Sequence, residues 1–352
     1  MVSIKDIARQ VGTSPSTVSR VVNGKAHVNS EKRKQILSLI KETGYVPNKA
    51  ARSMVLGRSF TVGLVIADIF NMFQQQLFSI IERHLEALGY HTLFLFVKFD
   101  EAGEEACLNR IKKEKLDGII LFHELNHAGF YEYFTRAGLP VVAATCGYHD
   151  FPAVRVNDQQ AAFEAVCHLI SLGHRRINMI NGSGHSFGNQ RLEGYYRAME
   201  ALKPVREAGQ VAAVPHYTAE YGMAGMRELL RRGRDFTALF ASTDELAIGA
   251  IRVLRDDGLR VPEDISVIGF DDINMSNYIV PRLTTIHQPL GAIGEETALA
   301  LHRRIVGGAS LKAEQIFPHR LIIRESTGPV DAGNREDAAF HGYAPQAPCF
   351  NI

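Results

Sequence analysis

The sequence predicts an all-α head of helix-turn-helix type, followed by an α/β body of two doubly wound parallel-sheet subdomains. Three observations lead there. Two short amphipathic segments flank a glycine near the N-terminus, a charge imbalance is confined to that end, and strands alternate with helices from residue 61 onward. At 352 residues the chain exceeds one small domain, and its 46% hydrophobic content supports large cores. Residues 1–58 carry eleven Lys/Arg against three Asp/Glu, giving +8, while the rest carry 28 against 35, giving −7. A basic head on an acidic body directs the head toward a polyanion.

In the head, Ile4, Ile7, Ala8 and Val11 recur at helical spacing, and Gly12 ends that helix. Ser14 then supplies an N-cap oxygen and Pro15 a first helical residue. The second helix turns Val18, Val21 and Val22 inward and leaves Pro15, Ser16, Thr17, Ser19 and Arg20 outside. Asn29 caps a third helix, "SEKRKQILSLIKETG", with Ile36, Leu37 and Ile40 as its stripe. Two short helices about a tight turn, closed by a third, form a helix-turn-helix. The outer face suits DNA. Thr17 and Ser19 offer short hydroxyls to phosphate oxygens, Arg20 has the fork that pairs with a guanine edge, and Pro15 offers apolar contact such as with a thymine methyl.

The body opens with strands at "TVGLVIA", "HTLFLFV", "DGIILF" and "PVVAAT". A second series follows at "RINMIN", "QVAAVPHY", "TALFAS" and "ISVIGF". Between the first two strands, Leu77, Ile80, Ile81, Leu85 and Leu88 make one helical stripe. Gly89, Gly138, Gly173, Gly233 and Gly258 close successive helices. Two sets of four βα units imply two similar subdomains with a cleft between them. Ligands bind beyond the carboxyl ends of such strands. The candidates are therefore Thr145 after "VVAA", Thr243 and Asp244 after "ALFAS", and Asp271 and Asp272 after "SVIGF". Arg191 begins the helix after "NGSGHSFGNQ". An Arg and an Asp converging in a cleft can each hold sugar-like hydroxyls by two hydrogen bonds.

Other motifs point elsewhere and fail on context. "HELNH" (His123 to His127) spells a zinc-protease signature, but it follows a strand directly, where i and i+4 do not converge on a metal. "GSGHSFG" (Gly182 to Gly188) has the wrong spacing for a dinucleotide loop and no acidic partner downstream. Cys167 and His168 are adjacent on a helix, so their side chains diverge. No metal or cofactor is expected. Four cysteines without a framework, no long apolar run and no signal pattern describe a soluble protein of the reducing cytoplasm.

The stretches "IKDIARQVGTSPSTVSRVVNG" and "GYVPNKAARSM" resemble the lactose-repressor (LacI/GalR) family of bacterial transcription regulators. "LISLGHRRI", "RLEGYYRAM", "STDELAIGA", "DISVIGFDDI" and "PRLTTI" carry the resemblance over about residues 2–328. It implies body subdomains of periplasmic-binding-protein type. It also implies a head at 1–46, a hinge at 47–59, a body at 60–328 and a tail at 329–352. Within the body, one subdomain would span about 60–158 plus 288–318, and the other about 159–287 plus 319–328.

By the same resemblance, Pro15, Ser16 and Arg20 would face base edges, while Thr17, Ser19 and Asn23 hold the DNA backbone. Met54, where leucine is usual, would wedge into the minor groove from a hinge helix that orders on DNA. Arg191 and Asp271 match effector-contacting positions, and Phe70, Phe73 and Tyr217 match positions that line the pocket. The chain departs from sugar-binding relatives at Thr145 and Thr243, and Met72 stands where proline is common. The tail lacks a leucine heptad, which favours a homodimer over a tetramer. The implied function is a repressor of a palindromic operator, released by a sugar-like effector. A corepressor such as a purine is the alternative, and a cytoplasmic enzyme with a vestigial head is a third reading.

Overall fold

A computed structural model describes residues 2–22, 28–45, 57–67, 71–98, 100–183, 186–200, 209–307 and 314–330. Asn23, Met54, Phe70 and nearly all of the expected hinge and tail lie outside the described residues. The chain divides into two compact units, residues 1–60 and 61–352.

The first unit holds α1 (Ile4–Gln10), α2 (Pro15–Val22) and α3 (Ser30–Thr43). Ser3 and Asp6 form a capping box on α1, each side chain bonding the other's amide. Gly12 turns the chain with φ +62°, a conformation that costs glycine little. Asn29 caps α3 by accepting from Glu31 N at 2.9 Å. Ile7, Ala8, Val18, Val21 and Ile36 form the core. The expected inward stripe of α3 needs correction, because Leu37 is 48% exposed. Leu39 and Ile40, three and four residues beyond Ile36, pack against the core instead. Val22 is only half-buried, at the end of α2.

The second unit contains two six-stranded sheets. The first combines β1 (Thr61–Ile66), β2 (His91–Phe96), β3 (Gly118–Leu121), β4 (Val141–Ala144), β5 (Ala153–Val156) and β11 (Gln315–Phe317), in the order β11-β5-β4-β3-β1-β2. The second combines β6 (Ile177–Gly182), β7 (Val211–Val214), β8 (Ala238–Ala241), β9 (Ser266–Asp271), β10 (Thr284–His287) and β12 (Arg320–Ile322), in the order β12-β10-β9-β8-β6-β7. All pairings are parallel except β10 with β12. Each sheet thus repeats one doubly wound order, with its switch point at β1/β3 or β6/β8.

The sheets are larger than two sets of four strands. The additional strands are three or four residues long and mix polar with apolar side chains, as in "AVRV" and "RLI", so they lack an apolar run. The first sheet is flanked by α4 (Met72–Ala87), α5 (Glu101–Lys113), α6 (Gly129–Ala137) and α11 (Leu290–Gly307). The second is flanked by α7 (Asp158–Ser171), α8 (Ser186–Glu200), α9 (Ala219–Arg232) and α10 (Asp244–Asp256). The chain crosses between the sheets three times, after β5, β10 and β11. Among the described residues, no helix is long and apolar enough to cross a membrane.

Candidate functional site

Two surfaces hold the candidate residues. On the head, Pro15, Ser16 and Arg20 are exposed along α2, whose inner face buries Val18 and Val21. Ser14 Oγ lies 2.7 Å from Ser16 Oγ and 2.9 Å from Thr17 Oγ1, and it accepts from Thr17 N at 3.2 Å. The start of α2 is therefore a cluster of hydroxyls at the positive end of a helix, a favourable setting for a phosphate oxygen. Thr17 and Ser19 are half-buried beside it.

In the body, two contacts show that the carboxyl ends of the sheets face each other. Arg155, on β5, bonds Gln190 on α8, and Met72, at the start of α4, bonds Glu245 on α10. Arg191 is the centre of a cluster at the strand ends of the second sheet. Its Nε donates to Asp158 Oδ1 at 2.8 Å, its Nη1 to the Ser242 carbonyl at 2.6 Å, and its Nη2 lies 3.3 Å from Asp271 Oδ1. Its guanidinium stacks 3.6 Å from the Phe270 ring centroid and 4.9 Å from that of Phe187. The helix carrying it starts at Ser186, so Arg191 sits in the second turn and does not begin the helix.

One guanidinium thus faces two buried carboxylates. Burial works against the charge on Arg191, but Asp271 and Asp158 more than offset it and hold its pKa above the ordinary value. Burial in turn pushes Asp271 up to about 8 and raises Asp158, against the pull of Arg191. Gln288 Nε2 donates to Asp271 Oδ1 at 2.8 Å. Behind them, Asp244 accepts from Thr285 Oγ1 at 2.5 Å, Ser276 Oγ at 2.6 Å and Ile273 N at 2.9 Å. Burial pushes it up to about 7 despite these bonds.

The backbone at the strand ends is strained. Thr145, Asp271 and Asp272 have φ of 63°, 113° and 52°, which non-glycine residues rarely adopt. Such strain clusters at functional sites, where the surrounding structure holds it in place.

The remaining candidates take varied positions. Tyr217 is buried beside Phe187, and its hydroxyl donates to the Gly182 carbonyl at 2.7 Å. Thr243 caps α10 by accepting from Leu246 N at 3.3 Å. Thr145 Oγ1 donates to its neighbour's carbonyl at 2.6 Å. Phe73 is buried in the first turn of α4. Arg191, Asp271 and Tyr217 thus gather in one cluster, while Phe73 and Thr145 belong to the opposing sheet.

Sequence reasoning missed Asp158, Ser242 and Gln288. Asp158 had a usable signal, since it follows the N-cap Asn157 just after "AVRV". Reading those four residues as a strand would have made Asp158 a strand-end acid.

The other motifs acquire structural roles. A Cβ at Gly182 would lie 2.4 Å from the Tyr217 ring, and one at Gly188 would lie 2.3 Å from its hydroxyl. These glycines make room for Tyr217 rather than for a pyrophosphate. "HELNH" is an irregular loop whose Asn126 and His127 amides donate to buried Glu104 at 3.2 and 2.6 Å. His123 instead lies 3.0 Å from the Gln74 side-chain amide. Among the described residues, no group of three His, Cys, Asp or Glu could hold a metal ion. Cys167 is buried, while His168 turns away to Thr327 Oγ1 at 3.2 Å.

Residues 3–48 match the family model described as bacterial regulatory proteins, lacI family, and residues 166–327 match that of the periplasmic binding protein-like domain. The chain is 34% identical over 332 residues to catabolite control protein A of Priestia megaterium, a match that covers 93% of this chain and 99% of that protein. It is similar to the solved complex of the transcriptional regulator CelR with cellobiose, at 30% identity and TM-score 0.70, covering 93% of this chain and 100% of the other. The lac repressor dimer bound to operator and the anti-inducer ONPF gives TM-score 0.82 at 26% identity, covering 93% and 99% of the two chains.

Proposed function

The chain belongs to the lacI family of bacterial regulatory proteins and is a transcription regulator with a helix-turn-helix head, and on that premise we propose that it is a cytoplasmic repressor released from a palindromic operator by a small carbohydrate. The observation that carries the effector reading is the meeting of Arg191 with Asp271 beside strained strand ends. Planar guanidinium and carboxylate groups hold neighbouring hydroxyls through paired hydrogen bonds, and the Tyr217 and Phe187 rings offer an apolar wall. The similarity to a regulator solved with cellobiose supports this ligand class.

In this reading Pro15, Ser16 and Arg20 contact base edges, while Thr17, Ser19 and Asn23 hold the phosphates. Met54 enters the minor groove. Phe70, Phe73, Thr145, Arg191, Tyr217, Thr243 and Asp271 surround the effector. The active species is a homodimer, since two recognition helices on a two-fold axis match a palindrome. Phe94 and Phe96 on the edge strand β2, and Tyr278 and Val280 between β9 and β10, are exposed apolar side chains that a dimer would cover. The effector shifts the body between two states, and its coupling to DNA binding is reciprocal.

The test recovers an operator from a random duplex pool at low salt, then compares the wild type with Arg20→Ala. Loss of one guanine contact lowers affinity by about 1–3 kcal/mol and relaxes one position of the site. A melting screen against sugars and purines follows, with operator binding measured for each hit. A sugar that raises the melting point and weakens operator binding meets the expectation, whereas a purine that strengthens both transfers the protein to the corepressor class. Failure to bind any duplex at low salt overturns the DNA-binding role.

A further inference from the structure

Met72 is the first residue of α4, and its amide is among the helix N–H groups that have no partner within the helix. That amide donates to Glu245 Oε1 at 2.9 Å. Glu245 lies in the first turn of α10, which packs with the second sheet, whereas α4 packs with the first. Two helix N-termini, both partially positive, therefore share one carboxylate across the junction between the subdomains.

The flanking bonds hold both partners in register. On the α4 side, Asn71 Oδ1 accepts from Gln74 N at 2.9 Å. On the α10 side, Thr243 caps the helix, and Asp244 grips Ile273, Ser276 and Thr285. The neighbour of the residue that reaches across, Asp244, is thus anchored to the strand-end loop that follows Asp271 and Asp272.

We propose that Glu245 and the Met72 amide form a ligand-independent clasp that sets how much of the closed body exists before any effector binds. The proposal rests on the effector-switch reading of the body and adds a regulatory contact to it. A ligand that needs the closed body binds with an affinity scaled by the fraction already closed. A clasp made by the protein alone raises that fraction, and it biases the DNA affinity of the free repressor in the direction in which the effector acts. The contact depends on this chain's own sequence, because a proline in place of Met72 has no N–H to donate.

The same fact supplies the test. Met72→Pro removes one donor and leaves the helix start intact, since proline is favoured at the first helical position. Asn71 already has the extended backbone, φ −63° and ψ 116°, that a following proline requires. Operator affinity without effector is measured for wild type, Met72→Pro, Glu245→Ala and the double variant, on an operator recovered with the wild type. Hydrogen exchange at the start of α4 is followed in parallel for wild type and Glu245→Ala.

The expected result is that both single variants shift operator affinity in one direction by roughly three- to tenfold, and that the double variant shifts it no further. Exchange at the start of α4 rises in Glu245→Ala. Unchanged affinity, shifts of opposite sign or additive shifts would each overturn the clasp. A wild type that recovers no operator would sink the regulator reading instead, so the two failures are distinguishable.

Discussion

In the head, Pro15, Ser16 and Arg20 stand in solvent on a helix held from behind by Val18 and Val21. In the body, Arg191, Asp158 and Asp271 are buried and bonded to one another. The head is built to meet a partner that brings its own charges, so its polar groups remain outside and its core remains small. The strand-end cluster has already satisfied its charges internally. On the proposed effector reading, a ligand there exchanges hydrogen bonds with groups that are already paired. The difference also separates two kinds of energy. On the proposed reading the loss of exposed Arg20 affects DNA binding alone, whereas the loss of buried Arg191 also costs the fold.

The sharpest test of that contrast is Arg191→Met. It leaves Asp158 and Asp271 buried without their cation, and urea unfolding of the body at a pH above 8, where Asp271 is ionised, should register a loss of about 3–5 kcal/mol. A loss below roughly 1 kcal/mol, the range of a surface pair, would remove the distinction between the two regions.

Within the head, Ile36→Ala should cost about 2–4 kcal/mol through an unfilled cavity, while Leu37→Ala should stay within about 0.5 kcal/mol. Thermal unfolding of both variants decides this, and equal losses would show that the exposed side of α3 is covered in solution.

The last effect is a slope, small at each pH unit. A carboxyl whose folded pKa is raised keeps a proton that the unfolded chain has already released, so stability falls as pH rises from the ordinary carboxylate range to about 8. For Asp271 this slope is at most about 1.4 kcal/mol per pH unit. Asp271→Asn should flatten the stability profile between pH 5 and 8, leaving the part due to Asp244, which titrates near 7. An unchanged profile would mean that Asp271 is ionised beside Arg191 throughout.

Much of the architecture was legible in one dimension. The 3.6-residue spacing of Ile4, Ile7, Ala8 and Val11, the Ser14–Pro15 start and the Gly12 turn are local signals, and each acts over a few residues. The alternation of strands and helices was equally plain wherever a strand formed an apolar run. The reading failed where structure is specified from a distance. Short strands such as β5 and β12 are extended because a neighbour pairs with them, not because their own residues demand it. Leu37 looked like part of a stripe, but its place one residue from Ile36 turns it away from the core.

By itself the sequence determined the class of each segment: a basic three-helix reader, an α/β body, and polar residues placed after strands. Local propensity, helical or strand periodicity and net charge suffice for these, because each depends on neighbours along the chain. Only the tertiary structure decided which of the strand-end residues meet. Asp158, Arg191, Ser242 and Asp271 are spread over more than 110 positions, yet they share one buried hydrogen-bond network. Burial raises the energetic stakes of that network, since an unpaired charge there is costly, and burial is a property of packing that no stretch of sequence carries alone.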